Sequence, residues 1–200
     1  MHTCEIVVAK YKEDTSWLEP VYDKCVIYDK SKDYPNVGRE AETYLRYIIE
    51  KYDNLPEVVV FTQANIADHR GSNDVKILTT MEEQALQHGY SFPHVAPHDW
   101  VWGPDFNLVD QDNKKYKDPM YYHDKNVISY YEYFKKILGF SIFPYPMYIY
   151  PNALFAVRKD KILRNTKAFY ENIIRTVNHS EWNVEAYFME RSWFYIFNPV

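Results

Sequence analysis

The sequence predicts an α/β layered fold in which strands and helices alternate over the first half of the chain. Three observations lead there. Cys4 to Tyr11 (CEIVVAKY) is a continuous apolar run closed by charge, and Lys24 to Ser31 (KCVIYDKS) repeats that form further on. Both read as buried parallel-type strands, because a strand covered on two faces needs no polar alternation. From Val37 to Tyr52, apolar residues at Val37, Ala41, Tyr44, Leu45, Ile48, Ile49 and Tyr52 make one stripe of an amphipathic helix.

Asn36 is the candidate cap of that helix, Asn54-Leu55-Pro56 ends it, and Glu57 to Gln63 follows as the third strand. Strand, connection, strand, helix, strand is the order of a right-handed α/β unit. The middle, Ser91 to Pro119, carries four prolines and two tryptophans and reads as loops with at most short strands. Long loops inside a compact domain are commonly functional. Helical stripes return at Asn126 to Leu138 and at Lys161 to Val177, with a strand, Ala153 to Arg158, between them. Glu181 to Asn198 is a last helix with Val184, Phe188, Arg191 and Tyr195 on a common face. Together these predict a central, mostly parallel mixed sheet of about six strands flanked by helices.

The 200 residues, 46% of them apolar, suffice for one core, so residues 1–200 read as a single domain. The abrupt end fits the N-terminal part of a longer chain. With 23 Lys+Arg against 28 Asp+Glu, a net charge of −5 and no long block of either sign, an extended nucleic-acid footprint is excluded. The N-terminus lacks a basic segment followed by a long apolar one, and no stretch approaches the ~18 apolar residues that span a bilayer. The expectation is a soluble, cytoplasmic protein without a membrane span. Cys4 and Cys25 lie inside apolar runs and read as buried free thiols. The sequon Asn178-His179-Ser180 has no role in that compartment. Twenty tyrosines are mainly core material, though their faces also suit sugars and bases.

In open α/β sheets, ligands bind outside the carboxyl ends of the strands. The groups placed there are Ala9, Lys10 and Tyr11 after the first strand, Asp29 and Lys30 after the second, and Gln63, Asn65, Asp68 and His69 after the third. This set suits a nucleotide. Tyr11 can face a base, Asp29 can take a ribose hydroxyl, and Gly38-Arg39 at a helix start offers backbone donors and a guanidinium. Asp68 and His69 combine a carboxylate with an imidazole, a pair suited to Mn²⁺ (or Mg²⁺) bridging diphosphate oxygens. The plainer alternative is that Asp68 turns the chain and His69 packs on an aromatic ring.

Glu190 sits between Met189 and Arg191 on a strongly aromatic helix. Either it pairs with Arg191, or it is catalytic: a base toward an acceptor hydroxyl, or a stabiliser of positive charge at an anomeric carbon. His179 and Glu185 are lesser candidates for those duties. Trp100 and Trp102 either stack on a sugar or hold their loop down. Two rival functions remain. Asp68-His69, His98-Asp99 and His123-Asp124 are neighbours of the kind that build metal-dependent hydrolases and phosphoesterases. The aromatic surplus alone would suit a non-enzymatic carbohydrate-binding module.

Three blocks, NVGREAETYLRYIIEKYDNLPEVVVFTQANIADH, NALFAVRKDKI and MERSWFYIF, spread over the chain's length. They are similar to a group of glycosyltransferase domains in fungi and large algal viruses, including N-terminal domains of chlorella-virus enzymes that build capsid-protein glycans. The strand-helix-strand opening followed by a short acidic cluster resembles, more broadly, the GT-A class of nucleotide-sugar glycosyltransferases. The resemblance implies a GT-A-like fold, a UDP-sugar donor, a glycan acceptor and a divalent metal. It sets the class's acidic metal motif on Ala67, Asp68 and His69, with Asp68 the surest ligand. Here Ala67 and His69 stand where that motif has aspartates. It also implies that Ala9, Tyr11 and Arg39 lie near the uridine and that NALFAV lines the sugar and acceptor side.

Overall fold

The computed structural model describes residues 3–93, 130–144, 150, 153–181 and 183–198, with His69 described by its backbone alone. The strands are β1 (Cys4–Lys10), β2 (Cys25–Asp29), β3 (Val58–Gln63), β4 (Tyr90–Ser91) and β5 (Phe155–Arg158), in the spatial order β2-β1-β3-β5-β4. β1 pairs in parallel with both β2 and β3, whereas β5 runs antiparallel to β3 and to β4. The described residues thus form a mixed five-stranded sheet, not six strands, and only two of its four pairings are parallel. An apolar run such as Phe155–Arg158 looks the same whichever way its neighbour runs, so the direction of β5 has no sequence signal.

The helices are α1 (Arg39–Lys51), α2 (Ala67–Arg70), α3 (Val75–His88), α4 (Tyr130–Glu132, continuing as a π-helical turn over Tyr133–Ile137), α5 (Lys159–Ile162), α6 (Lys167–Val177) and α7 (Val184–Phe197). A 3-10 stretch, Ser16–Lys24, joins β1 to β2. The sheet is covered on both faces, as its apolar strands require. Val7, Val59, Phe61, Phe155 and Val157 point into a core shared with α1, α4, α6 and α7. Their alternating neighbours Ile6, Val8, Val58, Val60 and Ala156 point into a second core under α3 and the 3-10 stretch. Among the described residues no helix is long and apolar enough to cross a membrane.

The larger core is built of tyrosines whose hydroxyls are satisfied, which is the condition for burying a phenol. Tyr44 donates to the Ala153 carbonyl (2.7 Å), Tyr170 to the Ile162 carbonyl (2.8 Å) and Tyr47 to Glu5 (2.8 Å). Tyr130 meets Ser192 (3.0 Å) and Tyr133 meets Thr176 (2.8 Å). Tyr44, Phe61, Phe155 and Trp193 then pack ring to ring across sheet and helices. Cys4 and Cys25 are free and partly buried, and burial pushes their thiols up to about 12 and about 11.

α1 begins at Arg39 and is not capped by Asn36. Its N-cap is Gly38, in the left-handed region at φ 61°, and no side chain caps the helix. A buried cation organises the turn in place of a cap. Lys30, with a side chain 4% exposed, donates to the carbonyls of Val37 and Arg39 (2.6 Å each), and its Nζ lies 3.1 Å from Glu42 Oε2, itself fully buried. Arg46, one turn on, donates through Nε to the other Glu42 oxygen at 2.8 Å. Gly38 donates its N–H to the Ser180 carbonyl (2.8 Å). A Cβ at Gly38 would stand 2.4 Å from the Val177 carbonyl oxygen, so only glycine fits there.

Removing one partner of a buried pair strands the other, so Lys30→Met is expected to lower unfolding free energy by roughly 3–5 kcal/mol in urea denaturation. Gly38→Ala combines a left-handed backbone with a backbone clash and is expected to cost at least about 2 kcal/mol by the same measurement.

Candidate functional site

The carboxyl ends of β1, β2 and β3 open on a cleft of about 390 Å³. That volume is in the ~300–1,000 Å³ range of small-molecule sites. The end of β1 supplies Ala9, Lys10 and Tyr11, and the turn after it supplies Glu13. Asn36, Arg39 and Glu40 come from the entry to α1, and Gln63, Asn65 and Asp68 from the exit of β3. Lys30 underlies the floor and Glu181, from the α6–α7 connection, closes one side. Among the residues singled out from sequence, Ala9, Tyr11, Arg39, Gln63 and Asp68 are thereby brought together in one cleft.

The parallel register explains the convergence. Ala9 is opposite both Tyr28 and Gln63, so all three strands stop at the same level and their last residues face one space. Ala64 donates to the Ala9 carbonyl (2.9 Å) and Lys30 to the Lys10 carbonyl (2.9 Å), which carries the alignment one step beyond the strands. Tyr11 is 39% exposed at the rim, with Lys12 Nζ 4.8 Å from its ring centroid.

Asp68 sits in the first turn of the short α2. Asn65 donates its side-chain amide to Asp68 Oδ2 (3.2 Å) while its own Oδ1 accepts from the Ala67 N–H (3.1 Å). Asn73 Oδ1 accepts from the Ile66 and Ala67 N–H groups (2.9 and 3.0 Å), fixing the loop that carries the carboxylate. Asp68 itself is exposed to the cleft. The His69 side chain lies outside the described residues. Among the described residues, no group of three or more His, Cys, Asp or Glu side chains is arranged to hold a metal ion.

Two expected site residues stand elsewhere. Asp29 does not line the cleft: its carboxylate accepts from Lys10 Nζ (2.7 Å), the Ser31 N–H (3.0 Å) and the Ser31 hydroxyl (2.5 Å). The Lys10 bond, then the Ser31 hydroxyl, hold its carboxyl down from the ordinary 3.8 to about 2. Asp29 therefore fixes Lys10 and closes the turn after β2. Glu190, on α7, is also not among the cleft-lining residues; its Oε2 is 3.5 Å from Arg191 NH1. His179, in the α6–α7 connection, places Nε2 3.4 Å from Glu185 Oε2 on α7. Trp100, Trp102, His98-Asp99 and His123-Asp124 lie outside the described residues.

Three carboxylates of the cleft, Glu13, Glu40 and Glu181, escape a reading by strand exits. Glu40, in the first turn of a helix beside Arg39, carries a usable signal. Glu181 carries none, since only the fold brings a residue between α6 and α7 to the cleft.

Residues 6–200 match the model of a family described as Protein of unknown function (DUF3431). No curated protein matches the chain, and no solved structure matches it.

Asp29 binds its proton about two pH units later in the folded chain than in the unfolded one. Between pH 4 and pH 2 the unfolded state therefore takes up more protons, and stability falls with pH across that window. Asp29→Asn is expected to flatten this part of the acid-denaturation profile, measured by circular dichroism against pH.

Proposed function

The chain belongs to the DUF3431 family, and we propose that it is a GT-A-type glycosyltransferase that moves a hexosyl unit from a UDP-sugar to a hydroxyl of a glycan acceptor. The observation that carries this reading is the cleft at the carboxyl ends of β1, β2 and β3, in which Ala9, Tyr11, Arg39, Gln63 and Asp68 face one space. That is where α/β sheets bind nucleotides.

In this reading Tyr11 lies against the base. Arg39 supplies donors to the nucleotide through a planar guanidinium. Gln63 donates its amide to Glu40 Oε1 (2.7 Å), so the amide is oriented before any ligand arrives. Asn65 holds the Asp68 carboxylate at the β3 exit, on the side of the cleft assigned to the diphosphate. Lys10, paired with Asp29, adds a fixed cation at the β1 exit.

A hard cation that keeps waters and arrives on a substrate's phosphates, as Mg²⁺ and Mn²⁺ do, needs few ligands from the chain itself. Asp68 would hold such an ion, which would offset the charge of the departing diphosphate. The chain's own contribution is to place that carboxylate beside a nucleotide and to pre-orient the donors around it. No proton-transfer role is assigned to Glu190, which stands outside the cleft's lining.

Calorimetry with UDP, with and without Mn²⁺, tests the reading, followed by release of UDP from UDP-sugars in the presence of glycan acceptors. Metal-dependent binding of UDP is expected. Asp68→Ala is expected to lower transfer by at least about a hundredfold and to remove the metal's effect on UDP affinity, with an unchanged melting temperature, because Asp68 is exposed and beyond the strand. No UDP binding with or without metal, or an Asp68→Ala variant with full activity, would sink the assignment.

A further inference from the structure

Between the β3 exit and α7 runs a connected set of polar side chains that the proposed reading leaves without a purpose at its far end. Gln63 Nε2 donates to Glu40 Oε1 at 2.7 Å. The other Glu40 oxygen lies 3.5 Å from Arg39 Nε. Arg39 NH1 donates to the hydroxyl of Tyr187, and the guanidinium carbon stands 4.7 Å from the centroid of the same ring. Gln63, Glu40 and Arg39 all line the cleft, whereas Tyr187 does not.

Arg39 is also held in a backbone conformation that a side-chain-bearing residue rarely takes, φ 49°. Such conformations persist where the surroundings over-determine them, and they concentrate at ligand-handling positions. The Arg39 carbonyl is fixed by Lys30 and its guanidinium is engaged from α7, so backbone and side chain are gripped from opposite sides. Tyr187 is fixed in turn. Arg191 NH1 donates to its carbonyl at 2.9 Å, and Asn183 caps α7 by accepting from the Ala186 N–H at 2.8 Å.

We propose that Tyr187 is a positioning residue: through its hydroxyl and ring face it holds the Arg39 guanidinium in the orientation in which it meets the nucleotide's anionic or carbonyl oxygens. The hydroxyl takes one N–H and the ring stands beside the cation, so the direction in which the planar fork points is fixed. An arginine free to swing would lose that orientation on every encounter and would have to be ordered by the ligand itself. This inference rests on the nucleotide reading of the cleft.

The test uses the full chain and calorimetric titration with UDP and Mn²⁺. Tyr187→Phe keeps the ring and removes the hydroxyl; it is expected to weaken UDP binding about fivefold to tenfold with an unchanged melting temperature. Tyr187→Leu removes both contacts and is expected to weaken it further. The decisive measurement is the double substitution: in an Arg39→Ala background, Tyr187→Phe should have no additional effect on UDP affinity, because the contact through which it acts has gone. Wild-type affinity in Tyr187→Phe, or the same loss with and without Arg39, overturns the positioning role while leaving the nucleotide site standing. A wild-type chain that binds no UDP overturns both.

Discussion

A buried ammonium holds the site together. Lys30 has left water almost completely, and burial, outweighing the Glu42 carboxylate that opposes it, pulls its pKa below the usual lysine value. Its position is tolerable because two backbone carbonyls and the Glu42 carboxylate surround it. Those acceptors belong to the turn that enters α1. The same contacts that neutralise the cation therefore set the level at which Arg39 and Glu40 emerge beside the strand ends. Gly38 completes the arrangement by letting the turn dock on the Val177 carbonyl at the end of α6 and the Ser180 carbonyl of the α6–α7 connection. Ion pair, turn and connection form one unit, and the cleft wall is its outer surface.

Much of this fold was legible in the sequence. The runs Cys4–Lys10, Cys25–Asp29 and Val58–Gln63 are so uniformly apolar that only strands buried on both faces explain them, and the stripe from Ala41 to Ile49 has one helical solution. The last helix was legible for the same reason, with Val184, Phe188, Arg191 and Tyr195 all buried. What escaped was set by tertiary context. α3 (Val75–His88) buries only Leu78, Met81, Glu82 and Ala85, a stripe too sparse in apolar residues to stand out. β4 is two residues long and exists because β5 offers it an edge. Asn36 was a reasonable cap by residue type, but α1 starts at Arg39 with Gly38 in the capping position, two residues beyond Asn36.

The site divides in the same way. Residues that follow directly from where a strand stops, such as Tyr11, Gln63 and Asp68, could be named without coordinates, because the chain's exit from a sheet fixes their surroundings. Asp29 obeys that rule yet is spent on Lys10 and Ser31, a pairing that depends on side chains meeting across two strands. Glu181 and Tyr187 reach the cleft region from far along the chain. Nothing local distinguishes Tyr187 from nineteen other tyrosines. Its partner is Arg39, well over a hundred positions away, and only packing of α7 near α1 introduces them.

The reversal of β5 against β3 has a topological effect of its own. With β4 aligned like β3, the backbone leaves the sheet at Ser91 and re-enters it at Phe155 on the same margin that β1, β2 and β3 run out to. Both anchors of that long excursion are therefore tied to one rim. Arg158, where β5 ends, instead stands opposite Val58, at the start of β3 and so at the other margin of the sheet.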